Sequence, residues 1–397
     1  MKPLNNELLY YLGFSYCPGI GPMKFQNLKS HLRGVRKAYL ASRKELELVL
    51  GFKLAEKFIE FRRKFDPKKE LEKLSKKGIS VLAVDDENYP KSLKNISDPP
   101  ICLYVKGNLK LDSAESIFIT RESSPSRHSG RVPLESEKIT STSSPKICFA
   151  IVGTRKPTSY GQQIAYKFAR ELAEAGFIIV SGMAIGIDTV AHQSTLDAGG
   201  KTIAVLGCGV DIIYPAINYQ LYKNIIKTGG AVISEFPPNQ TVLKGLFISR
   251  NRIISGLSRG ILIIEGGEYS GTLITAKYAG IQGKDVFAVP SSINSDMSRA
   301  PNLLLKQGAK LVTKVEDIME EFDIKITPRK KEDIRKNLSE NEKLIFDILQ
   351  KNQKTIDDLA IKLGKTVSEI LNIISVLEVN GVVEKNQEHK YQIRLII

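Results

Sequence analysis

Six short apolar runs between residues 148 and 289 constrain the fold of this chain more than any other feature of its sequence. The runs extend from Cys148 to Val152, Phe177 to Val180, Thr202 to Leu206, Ala231 to Ile233, Ile261 to Ile264 and Val286 to Val289. A short run that is apolar at every position is typical of a parallel strand buried on both faces, and stretches with helical spacing separate these runs. The alternation predicts an α/β domain built on a doubly wound parallel sheet.

The segment before this sheet predicts a helical domain of the helix-hairpin-helix or SAM-like type over residues 1–75. Its apolar positions recur three and four residues apart, for example at Leu8, Leu9 and Leu12. The sequence from Cys17 to Pro22 resembles the turn of a helix-hairpin-helix, in which glycines free backbone amides that meet a DNA phosphate. A tight interhelical turn that binds nothing is the alternative interpretation.

A length of 397 residues fits two or three domains. We assign residues 76–325 to the sheet domain and residues 338–397 to a third domain. In the third domain, predicted helices at 341–351, 355–363 and 366–380 precede two short strands, which is typical of a winged helix. The last of these helices contains no Lys or Arg, which favours a structural or protein-contact role over reading of a DNA groove.

Residues 112–145 interrupt the predicted sheet domain. They are rich in Ser, Thr and charged residues and have neither helical nor strand periodicity. This composition predicts a mobile insertion.

The formal net charge of +15 suggests a polyanionic partner, because clustered Lys and Arg gain affinity when they release counterions from phosphates. The excess is +10 over residues 1–110 but only +4 over residues 146–325. A solvated, lysine-rich surface explains the composition equally well. Binding by the sheet domain would therefore depend on a few placed groups rather than on bulk charge.

Membrane, metal and disulfide chemistry have little support in the sequence. No run of about 18 apolar residues occurs and the first residues lack the order of a secretory signal, so we expect a cytoplasmic protein that contacts no membrane. The four cysteines, at positions 17, 102, 148 and 208, form no CxxC pair, which argues against a zinc site or a disulfide framework. We expect neither a metal nor a cofactor.

Ligands of a doubly wound sheet bind beyond the carboxyl ends of its strands, and unusual residues follow several of the predicted strands here. The candidate phosphate and base contacts at these ends are Gly153, Thr154, Arg155, Lys156, Ser181, Gly182, Gly186, Arg250, Asn251, Arg252, Ser270 and Gly271. Glycine, a hydroxyl and two cations after the first strand predict a phosphate seat at the next helix, and two arginines astride an asparagine can make forked contacts. Alternatively, one arginine pairs internally with Glu265 or with a partner subunit.

Catalytic residues are not predicted. Asp188 is expected to cap free amides near a helix start and to hydrogen-bond His192, four residues later. A catalytic dyad of these two side chains is the alternative, but no nucleophile is evident beside it. Cys208 stands in a glycine-rich turn and is interpreted as a small structural residue.

At these motifs the chain resembles the DNA-processing protein A (DprA/Smf) family over nearly its whole length. The matching strings are Tyr89-Pro90, Asp98-Pro99-Pro100, Lys106-Gly107-Asn108, Val152-Gly153-Thr154-Arg155, Ser181 to Asp188 with Ala191-His192, Tyr214-Pro215 with Asn218, Ser234-Glu235, Arg250 to Ile254 with Gly256-Leu257-Ser258, Ser270-Gly271 and Val286 to Pro290. Their number and order make the resemblance specific.

The resemblance implies an extended Rossmann-like fold that binds single-stranded DNA, protects incoming strands during natural transformation and loads the RecA recombinase, commonly as a homodimer. It also implies that the arginine of the Gly-Ser/Thr-Arg string, Arg155 here, contributes to the DNA-binding pocket. Arg250 and Arg252 match the Arg-Asn-Arg string of the family.

Two other functions remain as alternatives. One is a Rossmann enzyme that cleaves the base from a nucleoside monophosphate, but Thr275 stands where the motif of that group requires a catalytic glutamate. The other is a transcription regulator whose winged helix reads duplex DNA while the sheet domain senses a nucleotide. A comparison of single-stranded and duplex DNA binding distinguishes the regulator from the favoured function.

Overall fold

A mostly parallel sheet forms the centre of the structure, a computed structural model that describes residues 7–109, 111, 147–324, 335, 338–379, 382–386 and 389–393. Nine strands pair in this sheet within the described residues, in the order β1-β2-β6-β5-β4-β3-β7-β8-β9. They are β1 (Ser80–Ala83), β2 (Cys102–Gly107), β3 (Cys148–Val152), β4 (Ile178–Ser181), β5 (Thr202–Val205), β6 (Ala231–Ser234), β7 (Gly260–Ile263), β8 (Asp285–Ala288) and β9 (Lys310–Leu311). The expected insertion 112–145 lies outside the described residues.

The predicted α/β class with a mostly parallel sheet is confirmed. Each of the six apolar runs forms a strand, and strands β3 to β7 are buried at every position because helices cover both faces of the sheet. Strands β1 and β2 extend the sheet in antiparallel register, since β2 pairs with β6 and β1 pairs with β2. The two-residue strand β9 is not evident in the sequence.

Helices connect the strands and form the rest of the structure. In the first 324 residues they are α1 (Leu8–Tyr16), α2 (Pro22–His31), α3 (Val35–Leu40), α4 (Arg43–Leu50), α5 (Phe52–Lys64), α6 (Pro67–Lys76), α7 (Lys91–Lys94), α8 (Ser159–Glu174), α9 (Ile187–Asp197), α10 (Tyr219–Lys227), α11 (Lys244–Leu257), α12 (Gly271–Ile281), α13 (Arg299–Lys306) and α14 (Val315–Glu321). Strand β3 lies between β4 and β7, so the chain direction across the sheet reverses there. This switch point is where doubly wound sheets form a ligand crevice.

The N-terminal helices share one hydrophobic core with the first two strands. Phe14 of α1 stacks on Phe58 of α5 with ring centroids 5.0 Å apart, and both rings are fully buried. The hydroxyls of Ser15 and Tyr104, the latter on β2, lie 2.6 Å apart. Helices α1 to α6 therefore belong to the same compact unit as the sheet, Met1–Ile318.

The second compact unit is Met319–Ile397. It contains α15 (Glu340–Leu349), α16 (Ile356–Leu363) and α17 (Val367–Val379), followed by the antiparallel pair β10 (Val383–Lys385) and β11 (Tyr391–Ile393). A separate cluster of buried side chains, including Phe346, Leu359 and Ile370, holds these elements together. The helices lie where the sequence pattern predicts them, within two residues at each end.

None of the described helices is long and apolar enough to span a membrane.

Candidate nucleic-acid interface

A cleft of about 760 Å³ opens beyond the carboxyl end of β3, at the switch point of the sheet. The loop after β3, the starts of α9 and α12, and one face of α11 form its walls. Eight of the predicted site residues line it: Gly153, Thr154, Arg155, Lys156, Arg250, Asn251, Ser270 and Gly271. The structure thus brings most of the predicted residues together in one place.

Exposed cations lie on two sides of the cleft. Arg155 and Lys156 follow β3, and both side chains are exposed. Lys244, at the first position of α11, is exposed on the same cleft. Because these cations keep their contact with solvent, they can meet phosphates without a large desolvation cost.

Arg250 lines the cleft, but its guanidinium already has internal partners. Its side chain is 4% exposed and donates to the carbonyls of Gly182, at 2.7 Å, and Val205. Burial lowers the pKa of Arg250 to about 10, while the neighbouring Asp188 carboxylate opposes that shift. Arg250 therefore contributes a positive field to the floor of the cleft and ties β4 and β5 to α11.

The position of Arg252 contradicts the prediction that both arginines of the motif face one ligand. The motif lies within α11, where successive residues turn by about 100°, so Arg252 faces away from the cleft. Its guanidinium binds Glu235 through two nitrogens, at 3.1 and 2.6 Å, and Asp98 through Nε at 2.8 Å. With 3% of its surface exposed, Arg252 is a buried ion-pair residue and lies outside the residues that line the cleft.

Ser181, Gly182 and Gly186 support the cleft rather than line it. The Ser181 hydroxyl donates to the Ile151 carbonyl at 2.7 Å and is fully buried. Gly186 has a φ of 89°, and a Cβ at this position would collide with the carbonyl oxygen of Thr154. The glycine therefore lets the start of α9 approach the loop that carries Arg155.

Asp188 accepts hydrogen bonds from the backbone N of Gly182 and Ala184, at 3.1 and 3.3 Å, as its predicted capping role requires. Burial raises the pKa of this carboxyl, and Arg250 opposes the shift. The expected bond to His192 is wrong. His192 Nδ1 instead lies 2.6 Å from the Thr202 hydroxyl, and complete burial lowers the pKa of His192 to about 3, so the ring is neutral at pH 7.

The phosphate seat predicted at the start of α8 also needs correction. The carboxylate of Glu265, which is 1% exposed, accepts from the backbone N and the hydroxyl of Thr158, the residue that caps this helix. Glu265 therefore does not pair with either arginine of the motif, as one alternative proposed. Arg155 and Lys156 remain exposed, but the N-terminus of α8 already holds an anion.

Aromatic side chains are the feature that the sequence analysis missed. Phe247 and Tyr214 line the cleft with ring centroids 5.6 Å apart, and Tyr269 on its rim is 95% exposed. Phe247 lies three residues after Lys244 and four before Asn251, on one face of α11. Spacing of three and four around the Arg-Asn-Arg motif is the signal that would have identified this face.

Across the described residues, no three His, Cys, Asp or Glu side chains are grouped so as to hold a metal ion.

The family of the chain follows from its sequence. The profile of the family described as DNA recombination-mediator protein A matches residues 80–131 and 138–323, which is more than half of the chain. The chain belongs to this family. The mediator family match covers the sheet and every residue that lines the cleft.

Individual relatives agree with the family assignment. Protein Smf of Synechocystis is 38% identical over 310 residues, covering 78% of this chain and 71% of the relative. The DNA processing protein DprA of Bacillus subtilis is 39% identical over 245 residues, covering 62% and 72%. The X-ray structure of DNA processing protein A from Streptococcus pneumoniae superposes with a TM-score of 0.63 at 32% identity, covering 80% of this chain and 98% of that one.

Proposed function

We propose that the protein binds single-stranded DNA in the cleft. The observation that carries the proposal is the position of Arg155 over the ring of Phe247, with 5.7 Å between the guanidinium carbon and the ring centroid. A cation beside an aromatic face matches the two parts of a nucleotide, because the phosphate meets the charge and the base stacks on the ring. Lys156, Lys244 and Tyr214 extend the same pairing along the cleft.

The aromatic faces favour a single strand over a duplex. In a duplex each base is stacked on both faces, so Phe247 and Tyr214 could be used only after unstacking. A flexible single strand presents its bases without that cost. Charge alone would not discriminate in this way, since phosphates are present in both forms.

The wider role that we propose follows from the family and from the motifs shared with it. In this role the protein is a cytoplasmic, non-enzymatic mediator that acts as a homodimer, protects strands taken up in natural transformation and loads the RecA recombinase on them. The predicted helix-hairpin-helix and winged-helix domains would be accessory. For the latter, we propose protein contact, because α17 carries no Lys or Arg.

The base-cleaving alternative loses support from the position of Thr275. This residue is 2% exposed, its hydroxyl donates to the Gly271 carbonyl at 3.3 Å, and it stands where that enzyme group places a carboxylate. A neutral hydroxyl cannot stabilise the positive charge that develops on the sugar when the base leaves.

Competition binding tests the proposal. A labelled single strand bound to the full chain is challenged with unlabelled single strand or with duplex of equal length at one salt concentration. We expect the single strand to compete at a concentration at least about tenfold lower. Equal competition, or preference for a duplex of defined sequence, would favour the transcription regulator instead.

A further inference from the structure

The N-terminus of α8 contains an anion that the chain itself supplies. Glu265 Oε2 accepts from the backbone N of Thr158 at 2.9 Å, and Oε1 accepts from the Thr158 hydroxyl at 2.5 Å. The same hydroxyl accepts from the backbone N of Gly161 at 3.2 Å. The carboxylate thus lies where the dipole of a 16-residue helix favours negative charge, and where a doubly wound domain commonly receives a ligand phosphate.

Gly161 fits this carboxylate closely. A Cβ at position 161 would collide with Oε2 of Glu265, although the backbone there is helical and would otherwise favour alanine. Within the described residues, no basic side chain lies within ion-pair distance of Glu265, so the helix start and Thr158 are its electrostatic partners. The first turn of α8 is therefore shaped around an internal anion.

The loop that carries Arg155 and Lys156 is attached to Glu265 at both of its ends. At the start of the loop, the backbone N of Thr154 donates to the backbone O of Glu265 at 2.8 Å. At its end, Thr158 binds the Glu265 carboxylate. Glu265, a single residue in the segment after β7, thus fixes the position of the exposed cations between these two points.

We propose that Glu265 is a positioning and specificity-determining residue. Its carboxylate acts as a resident anion that keeps ligand phosphates out of the N-terminus of α8, and through Thr158 it holds Arg155 and Lys156 in place for a DNA backbone. The role of Glu265 in positioning the two cations rests on the proposed function, whereas its role as the anion at the start of α8 does not depend on DNA.

Chemical rescue of Glu265→Ala tests both halves. The variant leaves space for a small carboxylate, so thermal unfolding is measured in sodium acetate and in sodium chloride at equal ionic strength. We expect acetate to raise the Tm of the variant relative to chloride and to leave the wild-type Tm unchanged. For a short single strand, we expect the affinity of the variant to fall about tenfold in chloride and to return to within about threefold in acetate.

Two matched variants control for charge and for local packing. Glu268→Ala removes a carboxylate from the same loop, but Glu268 is exposed and pairs with Arg299, so its affinity for the strand should stay at the wild-type value. Gly161→Ala should displace the Glu265 carboxylate and weaken binding in the same way. Combined with Glu265→Ala it should add nothing further, since the colliding atoms are then absent.

The outcomes separate the two proposals. A Glu265→Ala variant with the same Tm in acetate and chloride would overturn the proposal that Glu265 is a resident anion, whether or not DNA binds. A variant that acetate stabilises but whose strand affinity equals that of the wild type would overturn the positioning role. If the wild-type protein itself binds no single strand, the proposed function fails, and the acetate response of the variant still decides the role of the carboxylate.

Discussion

The guanidinium of Arg155 lies over the ring of Phe247, and the two side chains come from different elements of the sheet domain. Arg155 follows β3, whereas Phe247 belongs to α11. Their proximity brings a charge for phosphate and a face for a base within one nucleotide length of each other. Each side chain should therefore make a separable contribution to binding.

Arg155→Ala should weaken single-strand binding and reduce its salt dependence. The exposed guanidinium has little structural role, so the unfolding free energy should remain unchanged. Loss of one phosphate contact should lower the slope of log affinity against log salt by about 0.7. A salt titration of the wild type, the variant and Lys167→Ala, which removes an exposed cation from the middle of α8, measures this effect. An unchanged slope for Arg155→Ala would exclude a phosphate contact.

Arg252→Ala should destabilise the protein without changing the salt slope. Removal of the guanidinium leaves Glu235 buried and without its partner, which costs about 3 kcal/mol of unfolding free energy. Urea denaturation measures the loss, and the double variant with Glu235→Gln should recover part of it. A lower salt slope in the folded variant would instead mean that Arg252 reaches DNA.

Phe247→Ala should weaken strand binding by about 1 to 3 kcal/mol, because a stacked base loses its platform. Phe247→Tyr keeps a flat aromatic face and should bind like the wild type, whereas Phe247→Leu keeps apolar bulk without that face and should resemble the alanine variant. Binding is measured with one short strand at fixed salt. If the leucine variant binds as tightly as the tyrosine variant, packing rather than stacking explains the role of Phe247.

His192 should make stability depend on pH. Burial lowers its pKa from 6.5 to about 3, so between these values the unfolded chain binds a proton that the folded chain does not. The contribution of neutral His192 to the unfolding free energy is therefore fully present above about pH 6.5. It is lost as the pH decreases toward 3, by about 2 kcal/mol between pH 7 and pH 5. Urea denaturation at both pH values should show a smaller decrease for His192→Gln. Equal decreases would mean that His192 titrates normally in the folded state.

The fold could be predicted largely because burial leaves a direct record in the sequence. A strand covered on both faces must be apolar throughout, and the six runs satisfy that condition. The boundary near residue 75 has no such record. The aromatic core of α1 and α5 continues into β1 and β2, so a fragment that begins at residue 76 would lose these helices and expose the core residues of β1 and β2 to water.

The site was predicted less completely, because side-chain direction depends on the element that carries each residue. Arg250 and Arg252 look equivalent in the sequence, yet on a helix they point to opposite sides, one toward the cleft and one into an ion pair. Glu265 is similar: only the hydrogen bonds from Thr158 show that its carboxylate lies at the start of α8.

Photo-crosslinking of a single strand containing 4-thiothymidine tests the central claim most directly, because it reports where the strand lies on the full chain. After irradiation and proteolysis, the cross-linked peptides are identified by mass spectrometry. We expect them to come from the loop at residues 153–158 and from α11, with a lower yield in Arg155→Ala. Cross-links confined to α1 to α6 or to the second compact unit would contradict a binding site in the cleft.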